Sequence, residues 1–139
     1  MAMETLSINQ QTSELDSRDA TLHRACLTAK VAEDYRGKET VVLDMTEITP
    51  IVDYFIISTS NSRRQMHAIA EEVDRIMSQH DSKRIGLEGY GESSWILQDY
   101  GDTALHVFTE ESRALYELEH LWADAVRVDW HEELKRFEE

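Results

Sequence analysis

The sequence predicts a mixed α/β (α+β) fold of order αββαββα, a mixed sheet with its helices mainly on one face. Three observations predict it. An apolar stripe at helical spacing follows a polar start, a continuous apolar strand at 54–59 runs straight into a capped helix, and two β-rich runs flank Gly101-Asp102.

Residues 1–16 are polar, with isolated apolar side chains, and are expected to form a flexible N-terminal tail ahead of a domain at 17–125. From Ser17 or Asp19 as N-cap, Leu22, Ala25, Cys26, Ala29 and Ala32 recur at helical spacing, and Gly37 is placed to cap the helix end. Residues 41–45 read as a short strand closed by the turn-prone Thr49-Pro50. The strand at 54–59 has an uninterrupted apolar centre, which suggests burial on both faces. Ser62 and Gln65 form an S-x-x-Q capping box, in which each side chain is placed to satisfy the other residue's backbone N–H. Met66, Ile69, Ala70, Val73, Ile76 and Met77 then supply the stripe of a second helix. Gly86, Gly89 and Gly91 mark a loop with at most a short strand near Ile85.

Thr109 is placed to cap a third helix, with Glu110 and Glu111 complementing its dipole and Ala114, Leu115, Leu118, Leu121, Trp122 and Ala125 facing inward. Residues 126–139 are set apart as an acidic C-terminal extension, in which 126–130 either adds a strand or packs irregularly.

Gly101-Asp102 suits a two-residue hairpin turn, which pairs Tyr100 with Thr103, Leu97 with His106 and Trp95 with Phe108. Side chains alternate along a strand, so one face displays Trp95, Leu97, Asp99, Ala104, His106 and Phe108. The other displays Ile96, Gln98, Tyr100, Leu105 and Val107. Both are apolar, yet helices on one side cover only one of them. The leftover face is a candidate interface.

Composition narrows the function. With 28 acidic and 14 basic residues the 139-residue chain carries a formal charge of −14, which argues against direct nucleic-acid recognition and favours basic partners. Cys26 is the single cysteine, so neither an internal disulfide nor a Cys-based zinc site is available. No apolar run approaches the length of a membrane span, and the acidic start is unlike a secretory or transit signal, so a cytoplasmic location is expected.

Catalytic signatures are missing. The strand-to-helix turn carries no phosphate-binding glycine motif and no nucleophile elbow, and Ser58, Ser60, Ser62 and Cys26 have no positioned base nearby. Asp44, Asp53, Asp99 and Asp102 form no D-x-D pair for Mg²⁺, and Asp99 and Asp102 read as solvated turn residues. The six histidines contain no zinc-ligand spacing. The expectation is a binding protein without catalytic residues, cofactor or metal. Trp95 and Tyr100, interspersed with carboxylates, have the composition of a hot spot that meets a basic protein.

Several blocks in order carry a family resemblance: Val42-Leu43-Asp44-Met45, Asp53-Tyr54-Phe55-Ile56-Ile57, Ser62-Arg63-Arg64-Gln65, Glu88-Gly89, Trp95-Ile96-Leu97, Asp99-Tyr100-Gly101-Asp102, His106-Val107-Phe108 and 113–122. Together they resemble the ribosomal silencing factor, or Iojap-type, family over roughly residues 21–125. The resemblance implies a nucleotidyltransferase-like fold lacking that superfamily's catalytic residues. It also implies docking on the large ribosomal subunit through its L14-type protein, which blocks joining of the small subunit and lowers translation when nutrients are scarce.

By that resemblance Trp95, Leu97, Asp99, Tyr100 and His106 face the partner, with Glu88 on the adjacent loop, while Arg63 and Gln65 position a helix start. Family members also self-associate, so a homodimer through the leftover face is a further expectation. The chain departs from the family at Ser58-Thr59-Ser60, where relatives carry a Cys-Thr-Gly-type run. Outside the family reading, a nucleotidyltransferase-like nucleotide-binding enzyme and a dimeric adaptor are the alternatives.

Overall fold

Four helices and six strands follow one another in this computed structural model, which describes the backbone of residues 2–117, 120 and 122–139, and side chains from residue 17 onward within that set. The elements are α1 (Ala2–Asp34), β1 (Lys38–Asp44), β2 (Tyr54–Thr59), α2 (Arg63–Gln79), β3 (Gly86–Glu88), β4 (Trp95–Asp99), β5 (Thr103–Phe108), α3 (Glu110–Tyr116), β6 (Val126–Val128) and α4 (Trp130–Glu138). The strands form one mixed sheet in the order β3-β4-β5-β2-β1-β6. Only β2 and β5 run parallel, because α2 and the β3–β4 segment return the chain to the starting end between them.

Helices α1, α2 and α4 share one face of the sheet. Ala25, Cys26, Ala29 and Ala32 of α1, Met66, Ile69, Ala70, Val73 and Met77 of α2, and Trp130 and Leu134 of α4 pack on Val42, Tyr54, Ile56, Ile96, Leu105 and Val107. The small residues of α1 let its backbone lie close to β1 and β2. Burial pushes the Cys26 thiol up to about 12, so it is a packing group rather than a nucleophile. A second cluster, Leu43, Met45, Val52, Ile57, Ala104 and Phe108, lines the opposite face.

Local boundaries differ from the sequence reading in ways that have physical causes. Helix α1 runs from Ala2 without a boundary at Ser17 or Asp19. At its other end Arg36, at φ 67°, takes the left-handed position expected of Gly37. Gly37 is needed for space: a Cβ there would lie 2.4 Å from Ser58 Oγ. Ser62 caps α2 as expected, but the Gln65 side-chain oxygen Oε1 accepts from Asn61 N and Ser60 Oγ, reaching past the cap residue itself. Ser60 thus braces the helix start without glycine's conformational range, which answers the family departure at that position. Ser58 is likewise occupied, bonded to Thr40, and Thr59 Oγ1 accepts from Arg113.

Helix α3 is shorter than the periodicity suggested. Thr109 caps it, but Glu117 enters the left-handed region (φ 44°, ψ 47°) and ends it. Ser112 and Arg113 are buried while Ala114 and Leu115 are exposed, reversing the expected inward face, because the Arg113 guanidinium plugs against Thr59. Leu118 and Leu121 lie outside the described residues. Residues 126–139, set apart on sequence, contribute β6, antiparallel to β1, and α4, whose Trp130 indole donates to the Thr40 carbonyl.

Candidate functional site

The β4–β5 hairpin positions five of the six expected residues. Its register pairs Trp95 with Phe108 and Leu97 with His106, and Tyr100 N donates to the Thr103 carbonyl across the turn. Gly101 has φ 88° and Asp102 does not have a positive φ, the pattern of a type II′ turn. Strand alternation sends Trp95, Leu97, Asp99 and His106 to the face opposite α1, α2 and α4. Glu88 of β3 pairs with Leu97 and therefore projects on that side too.

Tyr100 is the exception: it does not face the partner side expected of it. It is 6 % exposed on the helix-covered face, where its hydroxyl accepts from Gln98 Nε2 (2.9 Å) and donates to Asp74 Oδ1 (3.1 Å). Burial first, then the Asp74 charge, pushes its pKa upward, so it is a core hydrogen-bonding group. Strand alternation alone forbids it from sharing a surface with Trp95.

The site is an aromatic cluster. Trp95 lies 4.9 Å from the Phe108 ring and 4.8 Å from Tyr116, and its indole Nε1–H donates to His106 Nδ1 at 3.0 Å. Accepting through Nδ1 leaves His106 with its proton on Nε2. That Nε2 is buried without a hydrogen-bond partner among the described residues, and the Phe55 ring stands edge-to-face with the imidazole at 4.9 Å. Burial pulls the His106 pKa down to about 4, so it is neutral at physiological pH. The indole is therefore locked by a group that has no charge to lose.

Phe55, Tyr116 and Trp122 complete the cluster, and the sequence reading did not assign them to it. Phe55 arrives because β2 pairs in parallel with β5, which places it beside Ala104. Trp95, Leu97 and Phe55 are half-buried, and Tyr116 and Leu115 are 46 % and 73 % exposed. An apolar surface with an acidic border remains open to a partner. Of the two acids, Glu88 is exposed, whereas Asp99 spends one oxygen on Gly101 N (2.8 Å). Gly89, at φ 76°, packs so closely that a Cβ would meet the Trp95 carbonyl oxygen at 2.0 Å, which ties the glycine loop to the start of β4.

The carboxylates weighed for metal binding are used otherwise. Asp102 is half-buried rather than free in solvent: it pairs with Arg24 at 2.7 Å and accepts from Thr21, fastening the hairpin tip to α1. Burial, Asp102 and Asp44 raise the Asp53 pKa. Even so, among the described residues no three or more His, Cys, Asp or Glu side chains are arranged to hold a metal ion. No described helix is long and apolar enough to cross a membrane.

Comparison with known proteins agrees with this architecture. A family model described as "Ribosomal silencing factor during starvation" matches residues 18–139, so the match continues through β6 and α4, beyond the limit near residue 125 drawn from the motif blocks. The chain is 38 % identical over 103 residues to the ribosomal silencing factor RsfS of Halalkalibacterium halodurans, covering 74 % of this chain and 88 % of that protein. It is 37 % identical to the RsfS of Bacillus subtilis, covering 74 % and 87 %. A crystal structure of a Chromobacterium violaceum protein superposes with a TM-score of 0.67 at 32 % identity, over 70 % of this chain and 81 % of that one. With its ordered motifs, its sheet and this match over most of its length, the chain belongs to the ribosomal silencing factor family.

Proposed function

We propose that this protein binds the large ribosomal subunit through its L14-type protein and sterically blocks joining of the small subunit, repressing translation under nutrient limitation. The observation that carries this reading is the open Trp95 cluster bordered by Glu88 on a chain of net charge −14. An aromatic anchor whose orientation is fixed before binding loses little entropy on docking, and an acidic border speeds encounter with a basic protein. The mechanism needs no bond made or broken. It needs only that affinity for free large subunits exceed what subunit association can displace.

Sedimentation with separated subunits tests it. The protein should co-migrate with large subunits alone and reduce subunit joining. Trp95→Ala should weaken that binding by about 2 kcal/mol, roughly thirtyfold, while the variant stays folded. Absence of co-migration, or turnover of a nucleoside triphosphate with Mg²⁺, would overturn the reading.

A further inference from the structure

Six cations of this acidic chain pair with carboxylates among the described residues: Arg24–Asp102, Lys30–Asp34, Arg75–Glu72, Arg84–Asp74, Lys135–Glu132 and Arg136–Glu133. Arg36, Lys38, Arg63 and Arg64 have no carboxylate within ion-pair distance among the described residues, a state they share with Arg18 and Lys83, and three of the four are arginines. They also converge. The Gln65 amide donates to the Tyr35 carbonyl at 2.9 Å, which brings Arg36 against the start of α2, where Arg63 and Arg64 lie. With the Asn61 amide oriented to suit both neighbours, its oxygen accepts from Lys38 Nζ at 3.2 Å and its nitrogen donates to Glu110 at 3.0 Å.

Of the acids that flank this corner, Glu72 is engaged by Arg75 and Tyr35, Glu71 by the Tyr90 hydroxyl and Glu110 by Asn61, while Glu39 beside Lys38 is exposed. The helix end is satisfied as well, because Ser62 Oγ accepts from Gln65 N. What the corner offers a partner is therefore its side-chain cations, all four of them exposed.

Position links the corner to the docking face. Ser60 N donates to the Phe108 carbonyl at 2.8 Å, and Phe108 is the register partner of Trp95. The turn that leads into Arg63 and Arg64 thus lies at the same end of the sheet as Trp95, two strands over, with α2 itself on the opposite face. A partner seated on Trp95 must extend around this end of the sheet to reach the arginines.

Resting on the proposed large-subunit reading, we infer that Arg36, Lys38, Arg63 and Arg64 form a second contact surface that grips phosphates of ribosomal RNA beside the protein-docking face. Guanidinium forks suit phosphate oxygens, and unpaired cations have no internal ion pair to break on binding. The whole-chain charge does not forbid this, since exposed charges more than a Debye length of about 8–10 Å away are largely screened.

The test compares wild type with R36Q/R63Q/R64Q, measuring affinity for purified large subunits across a salt series and, separately, for the isolated L14-type protein. Each phosphate contact contributes close to one to the slope of log K against log salt. The triple variant should lose about two to three in slope and bind subunits at least tenfold more weakly at low salt, with affinity for the isolated protein unchanged. An unchanged slope and affinity on subunits would overturn the RNA surface while leaving the docking reading intact. Equal losses against the isolated protein would assign the corner to protein and overturn it too. Wild type that fails to bind subunits at all would overturn the docking reading and this surface with it.

Discussion

Acidification should destabilise this protein through His106, and the size of the effect follows from the site. In the fold His106 is 5 % exposed with its pKa pulled down to about 4 by burial, against 6.5 for the free side chain. Between those two values the unfolded chain binds a proton that the native state refuses, so stability falls as pH drops from near 6.5 and stops falling near 4. At 1.36 kcal/mol for each pH unit of that window, the loss is about 3 kcal/mol.

Protonation would also turn Nδ1 from an acceptor into a donor facing the Trp95 N–H, so the bond that fixes the indole is lost with it. Urea unfolding followed by far-ultraviolet circular dichroism at pH 7, 5.5 and 4 measures the loss. His106→Asn serves as the control, because its side-chain oxygen can still accept from Trp95 but does not titrate. Other groups also respond in this range: His23 is depressed, chiefly by burial, and Asp53 is raised. Both are common to the two proteins and cancel in the difference. A His106→Asn variant that loses as much stability between pH 7 and pH 4 as wild type would refute the assignment.

Two further substitutions separate the core from the docking face. Tyr100→Phe should cost about 1–3 kcal/mol in urea unfolding, because the buried Gln98 amide loses its acceptor, yet leave large-subunit binding unchanged; weakened binding by the folded variant would return Tyr100 to the interface. Gly89→Ala should lower the melting temperature by several degrees and loosen the start of β4, since the new methyl must displace the Trp95 carbonyl from a backbone held at φ 76°. An unchanged melting curve would mean that the glycine loop does not pack on β4 as described.

What was legible in the sequence is what short-range physics encodes. Period-two alternation and the Gly101-Asp102 turn were enough to obtain the hairpin register and the division of Trp95, Leu97, Asp99 and His106 from Ile96, Gln98 and Tyr100, because a hairpin's pairing is set by its own turn. The α2 cap and stripe were legible for the same reason, since Ser62, Gln65, Met66, Ile69 and Val73 lie within a few turns of one another. Ordered motif blocks carried the family.

Tertiary structure decided everything that depends on partners distant in the chain. The α3 stripe pointed the wrong way because the buried Arg113 side chain reaches Thr59, 54 positions earlier, a partner that the helical spacing does not show. Asp102 looked solvated because its partner Arg24 is 78 residues away. Phe55 joined the Trp95 cluster, and four unpaired cations met at one corner, only once β2 lay parallel to β5 and Gln65 tied Tyr35 to α2. Periodicity states which side of an element is apolar, whereas which other element lies against that side is fixed by long-range pairing that no local pattern contains.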